Sequence, residues 1–144
     1  MDIDPDIAVA VLAHADDAVL VADGDGTIRY WNAAAERIFG WTSAEAVGQT
    51  LDLIVPERHR KRHWDGWQRV ASTGETAYAG KLLAVPAQTK DGASRSIEFT
   101  VNLVPSGEAA RPVHAVAAII RDVSERRAAE KATREELEAL RRRA

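Results

Sequence analysis

Histidine carries the most chemistry in this 144-residue chain. Four histidines are present (His14, His59, His63 and His114) and cysteine is absent. Without sulfur ligands there is no disulfide, thiolate metal site, iron–sulfur cluster, cysteine nucleophile or photochemistry ending on a cysteine. His63 lies in ERHRKRHWDGWQRV, residues 57–70. At roughly 100° per residue on a helix, His63, Trp67 and Val70 share one face, with His59 and Gly66 at its margin. Arg60, Lys61 and Arg62 spread in other directions. The imidazole is thereby directed at an apolar interior, and neighbouring cations disfavour its protonated form. A neutral imidazole in such a place can serve as a metal ligand or simply pack as a core residue. The i, i+4 spacing of His59 and His63 also suits zinc. Three flanking cations repel a dication, however, and no third ligand is near in sequence. His14 and His114 stand in no motif and are read as structural. The chain shows no nucleophile–base pair, no paired carboxylates in a recognisable motif and no phosphate loop, so an enzyme is not expected.

The long helix that would carry His63 opens at Pro56–Glu57, runs to about Ser72 and stops at Gly74. Before it, residues 4–14 read as a short helix, with Asp4 as cap and Pro5 in its first turn. Ala18 to Ala22 and Thr27 to Trp31 flank Asp-Gly-Asp-Gly and read as a hairpin. Asn32 caps a helix over Ala33–Phe39 that ends at Gly40, and Thr42–Glu45 starts a further helical turn. After it, Tyr78–Pro86 is a candidate strand and Lys90–Gly92 a hairpin turn. Arg95–Val104 alternates, with Ile97, Phe99, Val101 and Leu103 on one face. Pro105–Pro112 is a loop and Val113–Arg121 a mostly apolar strand. From Ser124 the composition turns to Ala, Glu and Arg, a helix-forming set.

Hydrophobic residues make up 46% and charged residues 28%, with a formal net charge of −3. That is the composition of a single globular domain rather than a disordered chain. The near-neutral balance argues against nucleic acid as main partner. Charge is uneven along the chain: seven aspartates precede Arg29, the first basic residue, and basic residues gather in ERHRKRH and the final RRRA. No apolar run reaches the ~20 residues of a membrane span, and MDIDPDIAVA lacks a basic leader, so a cytoplasmic protein without membrane contact is expected.

Taken in order, ADGDGTIRYWNAAAERIFGWTSAEAVGQ, IVPERHR, KDG and a last strand ending IIRDVSERR resemble a PAS domain over roughly residues 14–127. The resemblance implies an α+β fold, a five-stranded antiparallel sheet with short helices on one face, plus flanking helices at both termini. It implies an N-terminal cap helix (1–14), a PAS sensor domain (15–122) and a C-terminal signalling or coiled-coil helix (123–144). Sensing or dimerisation, with output through a helix starting at Asp122-Val123-Ser124, is the implied role.

The segment KRHWDGWQRVASTGETAYAGKLLAVPAQTKDG is most similar to the haem-binding PAS sensor of rhizobial oxygen-sensing histidine kinases. That likeness implies His63 as axial ligand of haem b and Arg69 at a basic position associated with the propionates. Leu83 stands where those sensors carry a distal arginine that holds oxygen, a clear departure. Trp67, Leu83, Phe99, Val101 and Ile119 are candidates for the apolar lining, and Tyr78 or Asn102 for a replacement donor. Gly66 and Ala79–Gly80 would let a flat macrocycle approach the backbone. With no distal hydrogen bond, carbon monoxide or nitric oxide suits the pocket better than oxygen. A flavin such as FAD, a small organic ligand, or a ligand-free dimerisation module are the alternatives.

The tail, residues 123–143, holds five Glu and seven Lys or Arg, with opposite charges three or four apart. Leu137 and Leu140 have coiled-coil spacing, so either an exposed single helix or a homodimer through the terminal helices is expected.

Overall fold

The computed structural model describes residues 2–144; Met1, the first residue of the expected cap helix, lies outside them. Helix α1 spans Pro5–His14, and the Asp4 side chain accepts from the Asp6 N–H at its start. Strands β1 (Ala18–Asp23) and β2 (Ile28–Trp31) form the hairpin. Its turn is held by Asp23, whose carboxylate accepts from the N–H groups of Asp25 and Thr27. Short helices α2 (Ala33–Phe39) and α3 (Ser43–Ala46) follow. Gly40 ends α2 in the left-handed conformation, and Thr42 and Glu45 form a capping box on α3. A 3-10 turn, Leu51–Leu53, leads to the long helix α4, Glu57–Thr73.

The second half is the rest of the sheet: β3 (Leu83–Gln88), β4 (Ser94–Pro105) and β5 (Val113–Asp122), then helix α5, Ser124–Arg143. The strand order is β2-β1-β5-β4-β3, with every neighbouring pair antiparallel. The first and last strands are therefore central partners, which local sequence pattern does not reveal.

One face of the sheet carries Ala18, Leu20, Ala118, Ile120 and Ile97, all buried, and Phe39, Ala46, Leu51 and Ile54 close over it from the helical side. Phe39 and Ile28 are wholly enclosed. Burial of such a side chain contributes about 2–3 kcal/mol. This is the α+β architecture expected from the sequence.

Two expectations are corrected. The strand expected from Tyr78 begins at Leu83, because Ala77–Gly80 is a turn closed by the Lys81 N–H on the Tyr78 carbonyl, with Gly80 at φ 73°. Ile119 lies on the outer face of the sheet. It pairs with Thr100 and Val19, whereas Ile120 pairs with Phe99 and Ala18 on the inner face. Ile119 is 42% exposed and Ile120 3%. The strand VHAVAAIIRD is apolar on both faces, so alternation is not visible in it.

Candidate functional site

Helix α4 is amphipathic but no residue on it is fully buried. Its inward residues His63, Trp64 and Trp67 are half-buried. The two tryptophans pack against the core together with Phe99 of β4. The inner face of the sheet is covered unevenly. At β1 and β5 it is closed, while Leu83, Phe99, Val101 and Leu103 on β3 and β4 remain half-buried. These apolar side chains face the helical side and are only partly covered.

The His63 ring packs in a triangle with two indoles that also touch each other. Trp64 meets it edge-on at 4.6 Å between centroids, Trp67 lies tilted at 5.8 Å, and the indoles are 5.7 Å apart. Each indole N–H is tied elsewhere: Trp64 donates to Asp52 Oδ1 at 2.8 Å and Trp67 to the Gly24 carbonyl at 2.9 Å. His63 Nδ1 is buried and has no hydrogen-bond partner. Burial pulls the imidazole pKa below its ordinary value, and the Asp52 carboxylate opposes that pull. The ring is thus neutral at pH 7, the form that coordinates a metal.

The expected site residues divide into two sets. His63 and Trp67 stand together on α4. Leu83, Phe99 and Val101 stand together on the inner sheet face, with Leu83 directly across from Phe99. Arg69 is exposed, and its carbonyl receives the hydroxyls of Ser72 and Thr73. Tyr78 is 53% exposed in the turn before β3, and Ile119 faces away. Neither joins the other candidates. Among the described residues there is no cluster of three or more His, Asp or Glu able to hold a metal ion, so a zinc site on His59 and His63 lacks its remaining ligands.

The sequence reading missed Asp52, Gly24 and Gly26. A β-carbon added at Gly26, where φ is +88°, would collide with the six-membered ring of Trp64. The Asp-Gly-Asp-Gly motif gave the turn but no sign that a helix 40 residues onward packs on it. Asp52 stands in no pattern that links it to Trp64.

Residues 12–128 match the family model described as the PAS fold. The chain is 33% identical over 98 residues to the sensor protein FixL of Bradyrhizobium diazoefficiens, covering 68% of this chain and 19% of that protein. It is 26% identical over 118 residues to the oxygen sensor protein DosP of Escherichia coli, covering 82% and 14%. The chain thus spans less than a fifth of these curated relatives. Among solved structures, a PAS domain from Colwellia psychrerythraea superposes with a TM-score of 0.66 at 20% identity, over 83% of this chain and 97% of that one. An RNA-binding light-oxygen-voltage receptor gives 0.68 at 22%, over 96% and 38%. Sequence order, sheet topology and family match agree, and the chain belongs to the PAS family of sensory modules found in signalling proteins.

Proposed function

We propose that this PAS module holds haem b through the His63 imidazole and senses a diatomic gas or the redox state. The observation that carries the reading is the buried, partnerless nitrogen of His63 on the inward side of α4. Buried polar atoms without partners are rare, and metal coordination is one of the roles that explain them. The residues fit such a group: a neutral imidazole, aromatic walls in Trp64 and Trp67, and aliphatic and aromatic surface in Leu83, Phe99 and Val101. When bound, haem supplies an iron that takes a gas or changes oxidation state. The similarity to FixL and DosP, sensor proteins by name, supports this choice.

Leu83, Phe99 and Val101 offer no hydrogen-bond donor on the sheet side. Carbon monoxide or nitric oxide, whose binding leans least on such a donor, is therefore favoured over oxygen. Residues 15–122 form the sensing body and residues 123–144 the output helix, pairing with a second copy. This is a cytoplasmic signalling role without catalysis.

Hemin titration tests the proposal. The wild-type chain is expected to develop a Soret band at one equivalent, and His63→Ala to lose it. An unchanged titration in the variant ends the haem reading. A yellow protein with flavin fluorescence would instead assign the site to FAD, and a colourless dimer that takes neither would leave a ligand-free dimerisation module.

A further inference from the structure

We propose that Asp52 is a positioning residue for His63, fixing the imidazole through Trp64 and placing a negative charge behind it. The inference rests on the reading of His63 as the ligand. Asp52 lies in the 3-10 turn before α4, not on the helix that carries His63. Its own position is set: the Asp52 N–H donates to Thr50 Oγ1, and Arg60 donates to the Asp52 carbonyl at 3.2 Å. The Arg60 Nε stands 3.8 Å from Asp52 Oδ1. The carboxylate then holds the Trp64 indole N–H at 2.8 Å. At its other end the same indole lies over Gly26, where a side chain would not fit. An indole held at both ends is restrained, and it meets the His63 ring nearly perpendicular, at 4.6 Å between centroids. Trp67, anchored on Gly24, packs against both the His63 ring and the Trp64 indole.

The arrangement matters because, among the described residues, nothing hydrogen-bonds to the His63 ring to fix its orientation. Metal-bound histidines are ordinarily oriented by a carboxylate or carbonyl on the second nitrogen. Here packing against Trp64 replaces that bond, and Asp52 supplies the carboxylate one side chain removed. Its charge also acts through space on the ring and on any positive charge the ring carries or coordinates.

Three variants separate the two contributions. Asp52→Asn keeps an oxygen acceptor for Trp64 and removes the charge. Asp52→Ala removes both. Trp64→Phe keeps the packing and deletes the N–H. With hemin loaded, Asp52→Asn is expected to bind at near wild-type strength but to shift the ferrous-to-ferric ratio at a fixed potential roughly threefold toward ferrous. Asp52→Ala is expected to lose hemin to apomyoglobin roughly tenfold faster. Trp64→Phe should show that faster loss while keeping the wild-type potential. Equal loss rates in all four proteins, or a potential that ignores Asp52→Asn, overturns the proposal while haem binding stands. If the wild-type chain takes no hemin, the haem reading fails and nuclear magnetic resonance of the ligand-free protein decides. Nuclear Overhauser contacts between His63 and Trp64, lost in Asp52→Ala and kept in Asp52→Asn, support positioning. Contacts that persist in Asp52→Ala refute it.

Discussion

Asn32 does more for this fold than its place as a helix cap indicates. Its side-chain oxygen accepts from the N–H groups of Ala35 and Val19, and its amide donates to the carbonyls of Leu12 and Asp17. One side chain, 3% exposed, therefore joins α1, β1 and α2. Removing it leaves two buried donors, the N–H groups of Val19 and Ala35, and two part-buried acceptors, the carbonyls of Leu12 and Asp17, without this partner. Loss of a cap costs ~1 kcal/mol, and each buried group left unmade adds ~1–3 kcal/mol. Asn32→Ala is expected to lower unfolding stability by about 3 kcal/mol, read from the midpoint of urea denaturation. A loss under ~1 kcal/mol would mean water replaces the amide without penalty. Gly26 stands at the same scale: its positive φ and the Trp64 ring above it both require a residue without a β-carbon.

Among the elements, the turn between β3 and β4 is bound to the short helices by one lysine. The Lys90 N–H donates to the Phe39 carbonyl, its ammonium pairs with Glu45, and the same group lies 5.2 Å from the centre of the Trp41 ring. The Lys90 ammonium and the Thr42 N–H hold the Glu45 carboxyl down to about 2 from an ordinary 4.5. A carboxylate with a depressed folded pKa stabilises fully above its unfolded value, and that contribution drains as pH falls through the folded one. Wild-type stability is thus expected to fall between pH 4.5 and about 2 from this group. Lys90→Met should flatten that decline, with the two urea midpoints converging toward pH 2. A gap between them that stays constant over the range would contradict the assignment.

Among the described residues, helix α5 is attached to the sheet at its first turn. The Val123 N–H donates to the Ser96 carbonyl, the Ser96 N–H to Ser124 Oγ, and Arg126 pairs with Glu98. Ser96 and Glu98 alternate along β4 with Ile97 and Phe99, so the strand that presents the partly covered apolar face also holds the helix.

At the scale of the whole molecule, α5 has no buried residue, and Leu137 and Leu140 are 50% and 53% exposed. The proposed pairing with a second copy would cover these two leucines. The double variant Leu137→Lys, Leu140→Lys is expected to sediment as a monomer where the wild type sediments as a dimer, with unchanged thermal unfolding of the sheet. A wild-type monomer at the same concentration would remove α5 as a pairing element.

Local chemistry in the sequence determined the element order, the caps at Asp4, Asn32 and Thr42, the hairpin turns and the inward face of β4. Each depends on residues within a few positions of one another, and Ile97, Phe99, Val101 and Leu103 alternate with polar neighbours. The direction of His63 followed from helix period and its apolar companions. Only the tertiary structure decided that Ile120 rather than Ile119 faces inward, since a strand apolar on both sides carries no phase. It alone decided that Tyr78 lies in a turn, where the left-handed conformation at Gly80 overrode β propensity. It also brought Asp52, Gly24 and Gly26 to the two indoles beside His63, because contacts between distant segments follow from how helices and sheet pack, which no spacing along the chain encodes.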